Sequence, residues 1–286
     1  MWYLVWSLVA ASVALAALLL VFWWQNPRQS FEDDARSDVK VVASLTTSPS
    51  RIHKMRDTLR SIVNQSRPPD VVILNLPPVF ERTGETYDIP EWLNKTTFPT
   101  VIVNRVEKDL GPITKLAPTI SIVNPLVDYI WVVDDDQLYH PQELSFLLQK
   151  AAVEQGVLCL TGLVRREGRF QESRYTSGKV DVFEAYAGVL IPVDAVEPRS
   201  FHTFVTKAIA DPDCRTSDDL IVSVYLEHRG VLVQKIYSPI VNINEHWSSR
   251  RVLHYGKDKD ALSQQQVSTV DRYAAAYPKL LKMLSG

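Results

Sequence analysis

The sequence predicts an α/β fold, a sheet layered between helices, and three observations predict it. From Asp38 onward, short apolar runs of strand length alternate with stretches of helical spacing. The apolar run Ile130-Trp131-Val132-Val133 ends abruptly in Asp134-Asp135-Asp136, as a buried strand does where it delivers polar groups at its carboxyl end. The length of 286 residues suits one large domain or two small ones.

Taken in order, the chain opens with Trp2 to Trp24, a stretch free of charged residues. As a helix it spans roughly 35 Å, against a hydrocarbon core of ~30 Å. Trp2, Tyr3 and Trp6 at one end and Phe22, Trp23 and Trp24 at the other resemble two aromatic belts. A cleaved leader is the competing reading, but there is no basic start and the far end is bulky where a peptidase needs small residues. The expectation is a single-pass anchor over residues 1–24, a stem over 25–38 and one folded domain over 39–286. Arg28 and Arg36 follow the span and no Lys or Arg precedes it, so a positive-inside count places the folded domain in the cytosol. The sequons Asn64-Gln65-Ser66 and Asn94-Lys95-Thr96 permit the lumenal alternative.

In the folded domain, Val39 to Leu45 reads as a buried first strand, Thr46 to Ser50 as a loop, and Arg51 to Gln65 as a helix through Ile52, Met55, Leu59, Ile62 and Val63. Pro68-Pro69 breaks it before a second strand, Val71 to Leu74. Residues 77–98 are a long excursion, and Thr100 to Val103 a third strand. Gly111 opens a helix running towards Val123 that tolerates Pro118 or kinks at it. After the aspartates, Pro141 starts an apolar helix, Gly156 ends it, and a strand runs to Thr161. A charged loop or hairpin (162–179) and a strand-like stretch from Val180 to Ile191 precede a helix capped by Ser217. Two short strands, Val231 to Ile236 and Pro239 to Ile243, and a C-terminal helix from Asp258 complete the chain.

Lys plus Arg is 31 and Asp plus Glu is 33, so no global basic field argues for a nucleic-acid partner. Cys159 and Cys214 lack metal-site spacing and are too few for a disulfide framework, although one bridge between them stays open.

The chemistry centres on the three aspartates. Adjacent carboxylates at the end of a buried strand repel one another, and a hard divalent cation relieves this through oxygen ligands. Strand geometry sends Asp134 and Asp136 to the same side. With Lys115 and Arg51 nearby, such a metal suits a diphosphate. The competing reading is an acidic helix start.

Six stretches carry a resemblance. They are Leu45 to Arg51; Thr58 to Ser66 followed by Pro68-Pro69; Gly111 to Leu116; the aspartates with Tyr139 and Pro141; Glu184 to Val189; and Ser217-Asp218-Asp219-Leu220. In this order and spacing, residues 39–247 resemble GT-A-fold glycosyltransferases of the family-2-like group. The resemblance implies a Rossmann-like mixed sheet flanked by helices, and a sugar transfer from a nucleotide-sugar donor to a hydroxyl acceptor. Asp134 and Asp136 resemble the ends of the DxD motif that contacts ribose and a Mn²⁺ or Mg²⁺ ion, with Asp135 assisting. Thr46, Arg51 and Lys115 fall on the donor side. Gly188 resembles the glycine of the loop lining the donor-sugar and acceptor region. Asp218-Asp219 resembles an acidic pair in which the second acid is the base of inverting members, which makes Asp219 the expected base and Asp218 an acceptor-side acid. His246 resembles a C-terminal metal ligand, with His254 the alternative. A UDP-sugar is the favoured donor, and the acceptor a glycan, glycoprotein or glycolipid. The resemblance also favours a lumenal Golgi location, against the charge count. A retaining mechanism, a nucleotidyltransferase and a sugar-binding pseudoenzyme stand as alternatives.

Overall fold

A computed structural model describes residues 38–173, 177–238 and 259–285. The chain divides into two units, Met1–Ser37 and Asp38–Gly286, of which the first lies outside the described residues. The expected anchor at 1–24, nearly all of the stem, His246 and His254 lie outside them as well. The expected single-pass membrane location, in the Golgi or elsewhere, is corrected here: among the described residues no helix is long and apolar enough to cross a membrane. The longest, Lys259–Ser285, is interrupted by Asp271, Arg272, Lys279 and Lys282.

The strands are β1 (Val41–Thr46), β2 (Val71–Leu76), β3 (Val101–Arg105), β4 (Tyr129–Val132), β5 (Val157–Cys159), β6 (Gly162–Arg166), β7 (Arg169–Glu172), β8 (Gly178–Lys179), β9 (Val182–Phe183), β10 (Val189–Pro192) and β11 (Val233–Lys235). The helices are α1 (Arg56–Val63), α2 (Ala117–Ile122), α3 (Glu143–Ala151), α4 (Pro198–Ala210), α5 (Asp218–His228) and α6 (Lys259–Ser285). The main sheet runs β3-β2-β1-β4-β10-β5-β11-β8. Strands β3, β2, β1 and β4 are mutually parallel, β10 is antiparallel to both β4 and β5, and β11 is parallel to β5. The result is a mixed α/β fold with a mostly parallel central sheet flanked by helices. β1, β2 and β4 are buried along nearly their whole length, which accounts for their almost unbroken apolar runs.

The chain steps from β1 outward to β2 and β3, then crosses back to lay β4 on the other side of β1. Successive connections therefore leave β1 and β4 in opposite directions, and a crevice opens beyond their carboxyl ends. Thr46 and Asp134 sit there because β1 and β4 are in register, Val41 opposite Tyr129 and Ser44 opposite Val132.

Several elements differ from expectation for local reasons. The stretch from Gly111 is a 3-10 turn (Gly111–Lys115) followed by α2, and Pro118 falls in the first turn of α2, where no N–H is needed. Pro141 lies just outside α3, which starts at Glu143 after Gln142. The stretch from Val180 to Ile191 is not one strand: a 3-10 turn at Ala185–Ala187 and the positive φ of Gly188 (+77°) separate β9 from β10. Ser217 precedes α5 but does not cap it; its φ and ψ of −115° and 51° are not the extended geometry of a capping residue, and its hydroxyl is buried without a partner. The hairpin expected at 162–179 is β6–β7, turned by Glu167 and Gly168, both at positive φ. α4 was not foreseen. Cys159 and Cys214 are both free and buried.

Candidate active site

A buried polar network fixes the segment that carries Lys115. Ser44 Oγ on β1 donates to the Lys115 carbonyl (2.5 Å) and pairs with Thr119 Oγ1 (2.6 Å). Asn75 Nδ2 on β2 donates to Thr119 Oγ1 (2.9 Å), and its own Oδ1 accepts from Asn104 Nδ2 (2.8 Å). Polar groups with no exposure hold geometry tightly because breaking any one bond strands a partner in a low-dielectric interior. The Lys115 backbone is thereby pinned across the ends of β1 and β2.

The crevice holds a cleft of about 570 Å³. Its walls gather Thr46, Arg51, Lys115, Asp134, Asp135, Asp136, Asp218 and Asp219, eight residues singled out from sequence. Lys115 Nζ lies between two acids, 2.5 Å from Asp134 Oδ1 and 2.9 Å from Asp218 Oδ2. Burial opposes its charge, but the carboxylates of Asp134, Asp218 and Asp219 outweigh it and hold the ammonium well above its usual range. Arg51 Nε stands 2.9 Å from Asp135 Oδ2, without hydrogen-bond alignment, and its Nη1 is 3.5 Å from Asp136 Oδ2. Thr47 Oγ1 donates to the same Asp135 oxygen (2.5 Å), and Tyr87 donates its hydroxyl to the Thr47 carbonyl (2.9 Å). Thr46 donates its hydroxyl to the Asn75 carbonyl (2.8 Å).

The three aspartates therefore stand in different environments. Asp135 is 4% exposed and turned into the protein, whereas Asp134 and Asp136 keep 28% and 20% of their side chains open. Burial pushes the Asp135 carboxyl up to about 6, with Arg51 opposing and Asp136 adding to the shift. The folded protein thus holds this proton more tightly than the unfolded chain does. The resulting stabilisation is complete below the ordinary carboxylate range and is lost as pH rises through about 6. A gap of roughly two units corresponds to about 3 kcal/mol. Asp135→Asn, which cannot ionise, should gain on the wild type by up to that amount between about pH 4 and pH 7. Melting temperatures across that interval test this, and a gap between the two proteins that stays constant with pH would contradict it.

Asp219, on the first turn of α5, lines the same cleft as the three aspartates that follow β4. Its Oδ2 accepts from the Ala185 N–H (3.2 Å). Burial and the adjacent Asp218 carboxylate raise its proton affinity well above the ordinary range, with Lys115 opposing. Gly188 is not among the residues lining the cleft. It packs beside the site over Trp131 and Glu143, and the turn before it reaches the aspartates through Tyr139. The Tyr139 hydroxyl accepts from the Asp134 N–H (2.7 Å) and donates to the Tyr186 carbonyl (3.3 Å).

The cleft also takes residues that were not picked out from sequence. Asp109 accepts from the N–H groups of Glu81 (3.0 Å) and Gly111 (2.8 Å), joining the excursion at 77–98 to the Lys115 segment. Arg215 pairs with Glu81 and reaches the Asp109 carbonyl (3.4 Å). Phe80, Arg82, Tyr87 and Thr216 complete that end. Asp109, two residues before Gly111-Pro112, was the one available signal, as a turn-forming residue.

Among the described residues no group of three His, Cys, Asp or Glu side chains is placed to hold a metal ion. The donor set nevertheless has the chemistry of a hard-cation site. Seven acids line the cleft (Glu81, Asp109, Asp134, Asp135, Asp136, Asp218 and Asp219) against four cations (Arg51, Arg82, Lys115 and Arg215). A diphosphate entering that surplus of carboxylates would be repelled unless a divalent cation accompanied it.

No family model matches this sequence, and no curated protein matches it. Among solved structures, the chain is similar to 4-diphosphocytidyl-2C-methyl-D-erythritol synthase from Anaerococcus prevotii, with a TM-score of 0.40 and 11% identity over 74% of this chain and 97% of that one. A likeness of this size transfers no activity.

Proposed function

We propose that this chain is a metal-dependent glycosyltransferase of GT-A type, moving a sugar from a nucleotide-sugar donor, a UDP-sugar by preference, to a hydroxyl of a glycan, glycoprotein or glycolipid. The observation that carries the reading is the division of the cleft. Carboxylates come from the end of β4 and a separate acid pair from the start of α5, and Lys115 pairs with one acid of each set. A diphosphate needs charge at one end of its reaction and a proton acceptor at the other, and two sets of acids from different elements are available for those two needs.

In this reading Asp134 and Asp136 hold Mn²⁺ or Mg²⁺, and His246, outside the described residues, is a proposed further ligand. The ion, when bound, supplies Lewis-acid charge to the diphosphate oxygens. Thr46, Arg51 and Asp135 shape the nucleotide end, and Arg51 can exchange its carboxylate partners for phosphate. Asp219 takes the proton from the acceptor hydroxyl as that oxygen bonds to the anomeric carbon. The bond from that carbon to the diphosphate breaks, and Lys115 offsets the charge left on the leaving group. Direct displacement inverts the anomeric centre. Asp218, ion-paired to Lys115, keeps that ammonium between donor and base. Gly188 supports the aspartates from beneath through the Tyr186–Tyr139 bridge.

The test is a donor panel. The full chain is incubated with UDP-, GDP- and CMP-sugars, with Mn²⁺ or with chelator, and release of the nucleotide is measured. Turnover of a UDP-sugar that stops on chelation and returns with Mn²⁺ is expected. Turnover untouched by chelation would remove the metal. Pyrophosphate release from a nucleoside triphosphate and a sugar phosphate, with every sugar nucleotide inert, would replace the reading with a nucleotidyltransferase.

A further inference from the structure

We propose that the C-terminal helix α6 is a positioning element of the active site, holding the acid-bearing segment 211–219 although none of its described side chains lines the cleft. This rests on the reading of Asp219 as the base. Segment 211–219 carries Arg215, Thr216, Asp218 and Asp219 into the cleft, and only the last two belong to the regular helix α5. The rest is a turn, and a turn needs outside contacts to hold a side chain to within a fraction of an ångström.

α6 provides those contacts along one face. Lys279 Nζ pairs with Asp211 (3.1 Å) and Asp213 (2.6 Å), at the start of the turn. Arg272 Nη1 donates to Thr216 Oγ1 (3.1 Å), immediately before α5. Tyr277 donates its hydroxyl to Glu227 Oε2 (2.9 Å), near the far end of α5. The tethers thus reach the turn before Asp219 and the helix after it. Between them Tyr273 is buried edge-on against Phe170, with ring centroids 6.0 Å apart. Burial and then the carboxylates of Asp219 and Asp218 hold its phenol well above its usual range.

The Lys279 pairs are exposed enough to contribute little to global stability, so they can be altered without unfolding the protein. In the full chain, Lys279→Glu sets three acids against one another, and the double variant Lys279→Glu with Asp213→Lys re-forms a pair with reversed sign. Hydrogen exchange of amides 211–219 and steady-state kinetics with the sugar nucleotide that the wild type turns over are measured together. Expected for the single variant are about tenfold faster exchange in 211–219, unchanged exchange in β1 and β4, and a similar fall in kcat with the donor KM unmoved. The double variant should restore both. Unchanged exchange in 211–219, or faster exchange with full kcat, overturns the proposal. Full activity of Asp219→Asn, or a wild type inert towards the whole donor panel, instead overturns the reading of Asp219, and the exchange result then decides the tether by itself.

Discussion

Asp219→Asn should lower kcat for sugar transfer by about 10³-fold, within the range that a positioned general base supplies. The substitution keeps shape and keeps an oxygen to accept the Ala185 N–H, so the backbone of the Ala185–Ala187 turn stays in place. What it removes is the ability to take a proton. The raised proton affinity of Asp219, from burial and from Asp218, bears on the same step. A base acts in its deprotonated form, so wild-type turnover should climb with pH along a limb above the ordinary carboxylate range. Asp219→Asn should lack that limb in whatever activity remains. A residual rate within tenfold of wild type would show that Asp219 only complements the dipole of α5.

Gly188→Ala should cost about 3 kcal/mol and lower the melting temperature by roughly 10 °C. Two effects combine. At φ +77° an L side chain is strained, and a Cβ built there would lie 2.5 Å from Glu143 Oε1 and 2.7 Å from Trp131 Nε1. Neither neighbour yields easily. Trp131 has no exposure and Glu143 is buried, its carboxyl held far towards the neutral form by burial. Gly84→Ala separates the two effects, because φ there is +74° and nothing lies within 4 Å of the added carbon. It should lose only the conformational part, about 1 kcal/mol. Equal losses at both glycines would remove the steric account of Gly188. Because the carbonyl of Tyr186, two residues before this glycine, accepts from Tyr139, which in turn receives the Asp134 N–H, the alanine variant should also weaken donor binding.

The parts of the site that were legible in the sequence are those whose signal is local. An apolar run that stops at three aspartates announces a strand end, and Asp218-Asp219 before an apolar helical pattern announces a helix start. What joins them was not legible. Lys115 meets Asp134 and Asp218 only because the chain crosses from β3 over to the far side of β1. Tyr87, Asp109 and Arg215 come from loops without periodicity, where spacing carries no spatial information. The antiparallel setting of β10 has the same origin, since the run Val189-Leu190-Ile191 has no direction of its own and acquires one from the hairpin-rich stretch before it. Ser217 shows the opposite failure. Its residue type favours a cap, yet a buried turn tied through Cys214 sets its backbone instead. α4 had a usable signal in Pro198 and the apolar spacing of Phe201, Phe204, Val205 and Ala208, with Glu197 accepting from Arg199 and Ser200 at its start. The helix was missed because its polar residues mask that spacing.

The central claim is that donor binding and proton transfer fall to different acids of one cleft, those after β4 and those at the start of α5. Calorimetric titration of UDP in the presence of Mn²⁺ tests it most directly, with Asp219→Asn as the subject and Asp136→Ala as its counterpart. The account predicts that Asp219→Asn binds UDP within about twofold of wild type while its transfer is lost, and that Asp136→Ala binds about tenfold more weakly or worse. Loss of UDP affinity in Asp219→Asn equal to that in Asp136→Ala would contradict it.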